Sequence, residues 1–125
     1  MPPWAARRRY FEERLGRTLH VNFPVIDKIP DGVATSIKSI DLKAATYQDA
    51  ARLTGRLQKY VNEVSEFVGG QIGDDVVRLS DIEGRALSLA VPKGMTATQR
   101  EAIEAVRSWA RMKNANPVQV LISKF

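Results

Sequence analysis

The chain has 125 residues, 44% of them apolar and 26% charged, with a formal net charge of +5. That composition suits one globular domain with one core over residues 1–125, and no apolar run approaches the ~20 residues of a membrane span, so a soluble protein is expected. Cysteine is absent and His20 is the one histidine. Disulfides, thiolate metal sites and cysteine nucleophiles are thereby excluded, and a histidine-rich zinc site or a Ser-His-Asp triad is disfavoured.

Any metal would sit mainly on carboxylates, which suits hard divalent ions. The 19 Lys and Arg against 14 Asp and Glu suit a phosphate backbone, and equally a solvated basic surface. Met1-Pro2-Pro3-Trp4 leads straight into an arginine cluster, so no signal peptide is expected. The same start is compatible with a cut from a larger protein.

Trp4 to Leu15 has helical spacing, with Trp4, Phe11 and Leu15 on one face, and Gly16 ends it. Arg7, Arg8 and Arg9 lie beside that face. Leu19 to Ile29 reads as extended, and its Pro24 argues for a strand edge or strand start. Pro30-Asp31-Gly32 supplies turn chemistry, and Val33 to Ile40 returns as a strand, so Val25 to Ile40 (VIDKIPDGVATSIKSI) is expected to form a β-hairpin.

A long helix follows. Thr46 and Asp49 read as its capping box, and Ala50, Leu53, Leu57, Tyr60, Val61, Val64, Phe67 and Val68 recur at helical spacing until Gly69-Gly70. Gln71 to Gly84 suggests a short strand or a turn at Val76-Val77 and a helical turn near Ser80 to Ile82. Ala86 to Val91 is a buried strand and Pro92-Lys93-Gly94 a turn. Thr96 and Gln99 cap a helix whose inner face carries Ile103, Val106, Trp109 and Ala110. After Asn116-Pro117, Val118 to Ile122 is a final buried strand, which completes a βαβ unit. The order is α-β-β-α-β-α-β, a mixed α/β sheet flanked by helices.

Side chains alternate along a strand, so Ser36 and Lys38 share one face, with Asp27 on the expected neighbouring strand. Metal-assisted phosphodiester cleavage needs a carboxylate to hold a divalent ion and a cation to orient water or offset phosphate charge. Asp27 and Lys38 supply one of each. Spacing alone favours the plainer reading, an exposed cross-strand ion pair contributing well under ~1 kcal/mol.

Phe11-Glu12, FPVID ending at Asp27, GVATSIKSIDL from Gly32 to Leu42, TYQ at Thr46 to Gln48, LSLAVPKGMT and the terminal VQVLI together resemble one family. It comprises the C-terminal toxin domains of CdiA-type contact-dependent growth inhibition proteins, in the branch with a PD-(D/E)xK endonuclease fold and S-x-K in place of E-x-K. The resemblance covers Tyr10 to the end. It implies a site of Glu12, Asp27, Ser36 and Lys38. Glu12 lies about 60° from Leu15 and about 80° from Trp4 around the helix, nearer the buried stripe than Glu13.

In that reading Asp27 and Glu12 hold a divalent ion (Mg, Mn or Zn), Lys38 orients the attacking water, and Ser36 anchors water or serves as a lesser ligand. Asp41 points away from Lys38 by strand alternation and is read as structural. Tyr47 and Gln48, near the start of the long helix, are candidate phosphate contacts. Lys43, Arg8 and Arg9, with Arg7 and Arg52, are candidate backbone contacts. His20 is read as a strand-surface residue. The resemblance implies a metal-dependent endonuclease toxin that cleaves DNA, with tRNA as the runner-up substrate and a non-catalytic nucleic-acid-binding module as the alternative class. It further implies release from a larger cell-surface protein into the target-cell cytoplasm, and neutralisation by a cognate, acidic immunity protein.

Overall fold

The computed structural model describes residues 4–125. A 3-10 turn, Trp4–Arg7, runs into helix α1, Arg8–Arg14. Its anchor is the fully buried Phe11, whose ring lies 4.4 Å from that of Trp4 and 4.9 Å from that of Phe125, at the other end of the chain. Gly16, at φ +88°, takes the left-handed conformation that ends the helix. Lys28 Nζ then donates to the carbonyl of Leu15, satisfying an end of α1.

The expected hairpin over Val25 to Ile40 is not formed as such. Leu19 to Ile29 is not a strand. The Ile26 N–H bonds the Pro24 carbonyl at 2.7 Å, closing a three-residue turn that holds Val25 at φ +64°, a conformation rare for a β-branched residue. Asp31 also turns at positive φ, within Pro30–Gly32. With prolines at 24 and 30 and two such turns, the segment has too few consecutive donors for a ladder. One antiparallel bridge, Lys28 to Thr35, is what remains. The returning strand is real: β1, Val33–Ser39.

Helix α2, Ala50–Glu66, buries Leu53, Leu57, Val61 and Val64 along one face. Its cap differs from the expected Thr46/Asp49 box. Asp49 is itself the N-cap, accepting from the N–H groups of Ala51 (2.9 Å) and Arg52 (3.3 Å), while Thr46 belongs to a preceding 3-10 turn, Ala45–Gln48. Gly69-Gly70 does not end the helix, which stops at Glu66. These glycines open β2, Gly69–Ile72, paired antiparallel with β3, Asp75–Arg78. The expected Val76-Val77 strand lies in β3, followed by a turn at Leu79–Asp81.

The last third is as expected. Strand β4, Gly84–Val91, leads to α3, Ala97–Arg111, capped by the reciprocal Thr96/Gln99 box, and then to β5, Gln119–Lys124. The main sheet is parallel, in the order β1-β4-β5, with β2-β3 as a separate antiparallel pair. The mixed α/β class therefore stands, with its strands redistributed. Buried β4 is central and β1 is an edge. The register sets Ser36 beside Leu87 and Lys38 beside Leu89. Paired residues of parallel strands share a face, so both point toward the core formed by Leu87, Leu89, α2 and α3. Among the described residues, no helix is long and apolar enough to cross a membrane.

Candidate active site

A cleft of about 180 Å³ opens between α1 and α2 at the C-terminal end of β1, lined by Arg8, Phe11, Glu12, Ile37, Lys38, Ser39 and Tyr60. Its position follows from the topology, because an edge strand flanked by two helices leaves its outer rim accessible. Glu12, expected at the border of the buried stripe, is buried outright, its side chain only 4% exposed. A buried carboxylate needs partners. Arg8 Nε supplies one at 3.0 Å and the Arg17 guanidinium another.

Asp27 reaches the same place from the opposite side. Its backbone N–H bonds the Thr35 carbonyl at 2.8 Å, and its carboxylate accepts the Ile37 N–H at 2.7 Å. Asp27 thus occupies the outer rim of β1 as a neighbouring strand would, although it is not in one. Burial raises its pKa above the ordinary value of 3.8, against the Ile37 N–H and the charges of Arg17, Lys38 and Arg8, which pull it down. The carboxyl is therefore held near three cations, in a setting dry enough that desolvation prevails.

Lys38 is half-buried, with Nζ 5.4 Å from the centre of the Tyr60 ring. An ammonium over an aromatic face is held by the ring quadrupole. Ser36, on the same face of β1, is 1% exposed, and its hydroxyl is buried without a hydrogen-bond partner. Glu12 and Lys38 line the cleft, Asp27 is tied to it through Arg17 and the Ile37 N–H, and Ser36 is buried next to Ile37 on β1.

The remaining expected contacts are scattered. Gln48 donates to the carbonyls of Leu42 and Ala44, bracing its own turn, and the Tyr47 carbonyl accepts from the buried Gln99. Asp49 already takes two of the free N–H groups at the start of α2, leaving less of that helix end for an outside anion. Lys43 is exposed, and its backbone N–H is held by Asp41, which is structural as expected. Arg8 lies on the cleft, Arg9 is exposed, and Arg7 stacks against the rings of Trp4, Tyr10 and Phe11. His20 is exposed in a loop, not on a strand.

Arg17 is the residue that the sequence did not reveal. Its Nη2 pairs with Glu12, and its Nε lies 3.7 Å from Asp27 Oδ1. The backbone arranges this, since Arg17 N–H bonds the Glu12 carbonyl while the N–H groups of Thr18 and Leu19 bond the Asp27 carbonyl. Tyr60 was likewise read only as a core position. The one signal for Arg17 was an isolated charge just beyond a helix-ending glycine.

Among the described residues, no three of Asp, Glu, His or Cys stand together as a metal-holding group. Two carboxylates do converge on one cation, the Arg17 guanidinium. That donor set is all oxygen and suits a hard divalent ion that keeps part of its water.

Residues 7–122 match the family model described as "CDI toxin restriction endonuclease-like domain". Comparison with curated proteins finds no significant match. Among solved structures, the fold is similar to a chain of the "CdiA-CT/CdiI toxin and immunity complex from Yersinia pseudotuberculosis". The TM-score is 0.73 at 20% identity, over 99% of each chain.

Proposed function

Because this chain belongs to the family of CDI toxin restriction endonuclease-like domains, we propose that it is a metal-dependent endonuclease that cleaves DNA in target bacteria. The observation that carries the proposal is the meeting of Glu12, Asp27 and Lys38 at the end of one edge strand, beside a cleft open to solvent. Phosphodiester hydrolysis calls for that combination of anionic and cationic groups.

Domains of this fold generally use divalent metals, and here Glu12 and Asp27 would hold the ion, with Ser36 close by. When bound, such an ion polarises the phosphate and lowers the pKa of water. The chain's own residues do the rest. Lys38, steadied by Tyr60, orients the nucleophilic water and offsets charge on the scissile phosphate. Arg8, 72% exposed at the cleft mouth, and Arg9 beside it meet the flanking phosphates. Phe11 and Ile37, buried beneath, keep the site dry and rigid.

The toxin would be delivered as the end of a larger CdiA-type surface protein and held inactive by a cognate immunity protein. The similar solved structure is a complex of that kind, and a net charge of +5 favours an acidic partner.

The test incubates purified protein with plasmid DNA and, in parallel, with tRNA, in Mg²⁺, Mn²⁺ or Zn²⁺. DNA should be cut, chelator should stop the reaction, and Lys38→Ala should abolish it. Cleavage of tRNA alone would move the substrate and leave the enzyme class in place. Cleavage of neither with any metal would sink the nuclease reading.

A further inference from the structure

Glu12, Asp27 and Arg17 form a nearly dry triad, with side chains 4%, 14% and 13% exposed. Two carboxylates so placed could not both stay ionised without a cation between them. Arg17 provides it. Its backbone is fixed by the Glu12 carbonyl on one side, and its neighbours by the Asp27 carbonyl on the other, so only its side chain is free to leave.

The guanidinium is also incompletely bonded. Its Nε is buried without a hydrogen-bond partner, and 3.7 Å to Asp27 Oδ1 is beyond hydrogen-bond reach. The contrast is the buried Arg85, whose Nη1 donates to the carbonyls of Val64 and Phe67 at 2.7 and 2.6 Å. Arg85 is locked, whereas Arg17 is held mainly by charge.

We propose that Arg17 is a resident counter-ion: it keeps Glu12 and Asp27 together in the metal-free protein, and its side chain swings out when a divalent cation takes its place. The proposal rests on the reading of Glu12 and Asp27 as the metal-holding pair. A guanidinium and a divalent ion repel each other and compete for the same oxygens. Metal affinity is therefore set against the Arg17 contact, and the vacated side chain is released next to Lys38 and Arg8, where a substrate phosphate would sit.

The experiment needs no substrate. Mn²⁺ is titrated calorimetrically into the full chain and into Arg17→Gln. The variant should bind about tenfold more tightly, and its metal-free form should melt at a lower temperature. Equal or weaker binding by Arg17→Gln overturns the proposal. Asp27→Asn separates it from the reading beneath it. If Asp27→Asn loses Mn²⁺ while Arg17→Gln gains nothing, the metal pair stands and the counter-ion role falls. If Asp27→Asn binds Mn²⁺ as well as the parent, both fall. Should Arg17→Gln fail to fold, the wild-type chain still decides. On Mg²⁺ saturation the Arg17 Nε–H resonance should shift while that of Arg85 stays, and an unmoved Arg17 signal overturns the proposal.

Discussion

The carboxylate of Asp27 accepts the backbone N–H of Ile37 at 2.7 Å, so one side chain both holds a residue that lines the cleft and completes the hydrogen bonding of strand β1. Asn at this position keeps an oxygen for that bond and loses the charge, whereas Ala loses both. Asp27→Asn should abolish cleavage and retain the fold. Asp27→Ala should also abolish cleavage and lower the unfolding free energy by about 1–3 kcal/mol, because a buried N–H is left unpaired. Urea denaturation of the two variants side by side checks the difference.

The pKa of Asp27 lies above its ordinary 3.8 because burial outweighs the nearby cations. The native state therefore binds this proton more tightly than the unfolded chain does. Asp27 contributes most to stability below the ordinary value, and that contribution is lost as pH rises through the interval up to the native one. Measured without metal, the stability of Asp27→Asn relative to wild type should increase across that interval and then level off. Activity should run the other way, rising with pH as the carboxylate ionises. A stability difference independent of pH would contradict the raised pKa.

Ser36 carries a hydroxyl with no partner in a fully buried position. Deleting it should not destabilise the fold, and stabilisation of up to about 1 kcal/mol is expected. If the hydroxyl serves the site, Ser36→Ala should still slow cleavage by at least about tenfold. Thermal melting and initial rates on one preparation give both quantities.

Tyr60 holds Lys38 through its ring, 5.4 Å from Nζ. Tyr60→Phe keeps that face and should cleave close to the wild-type rate. Tyr60→Leu removes an interaction of about 0.5–1 kcal/mol and should reduce kcat several-fold. Equal rates for the two variants would remove Tyr60 from the positioning of Lys38.

The start of α2 offers a purely structural check. Asp49→Ala should cost about 1 kcal/mol, as loss of an N-cap does, while Thr46→Ala should be close to neutral. Equilibrium unfolding of the pair tells the two candidate caps apart.

Why some of this was legible in the sequence and some was not follows from how local each signal is. Helices α2 and α3 and strands β4 and β5 announce themselves because one face must be buried, and the Thr96/Gln99 box lies within four residues. Thr46 and Asp49 carry the same signature, yet there the chain turns once more and Asp49 caps the helix directly. Leu19 to Ile29 misleads in the other direction. Its residues favour strands, but the turn at Val25 is fixed by Pro24 and by the need to bring Asp27 to β1. Glu12 and Asp27 could be named from the family's pattern. Arg17 could not, since its contacts with both exist only once α1 and Asp27 are side by side.

The rim of β1 has one more consequence. Thr35 and Ile37 direct their N–H groups outward, and these are met by the Lys28 carbonyl and the Asp27 carboxylate. A sheet border sealed by so little is a template on which an extended segment of another chain can align. Asp27 covers the Ile37 N–H on that border, which leaves one fewer free donor for an edge-to-edge pairing. An apolar replacement at position 27 would silence the domain and make it sticky at once, so self-association should accompany loss of activity there.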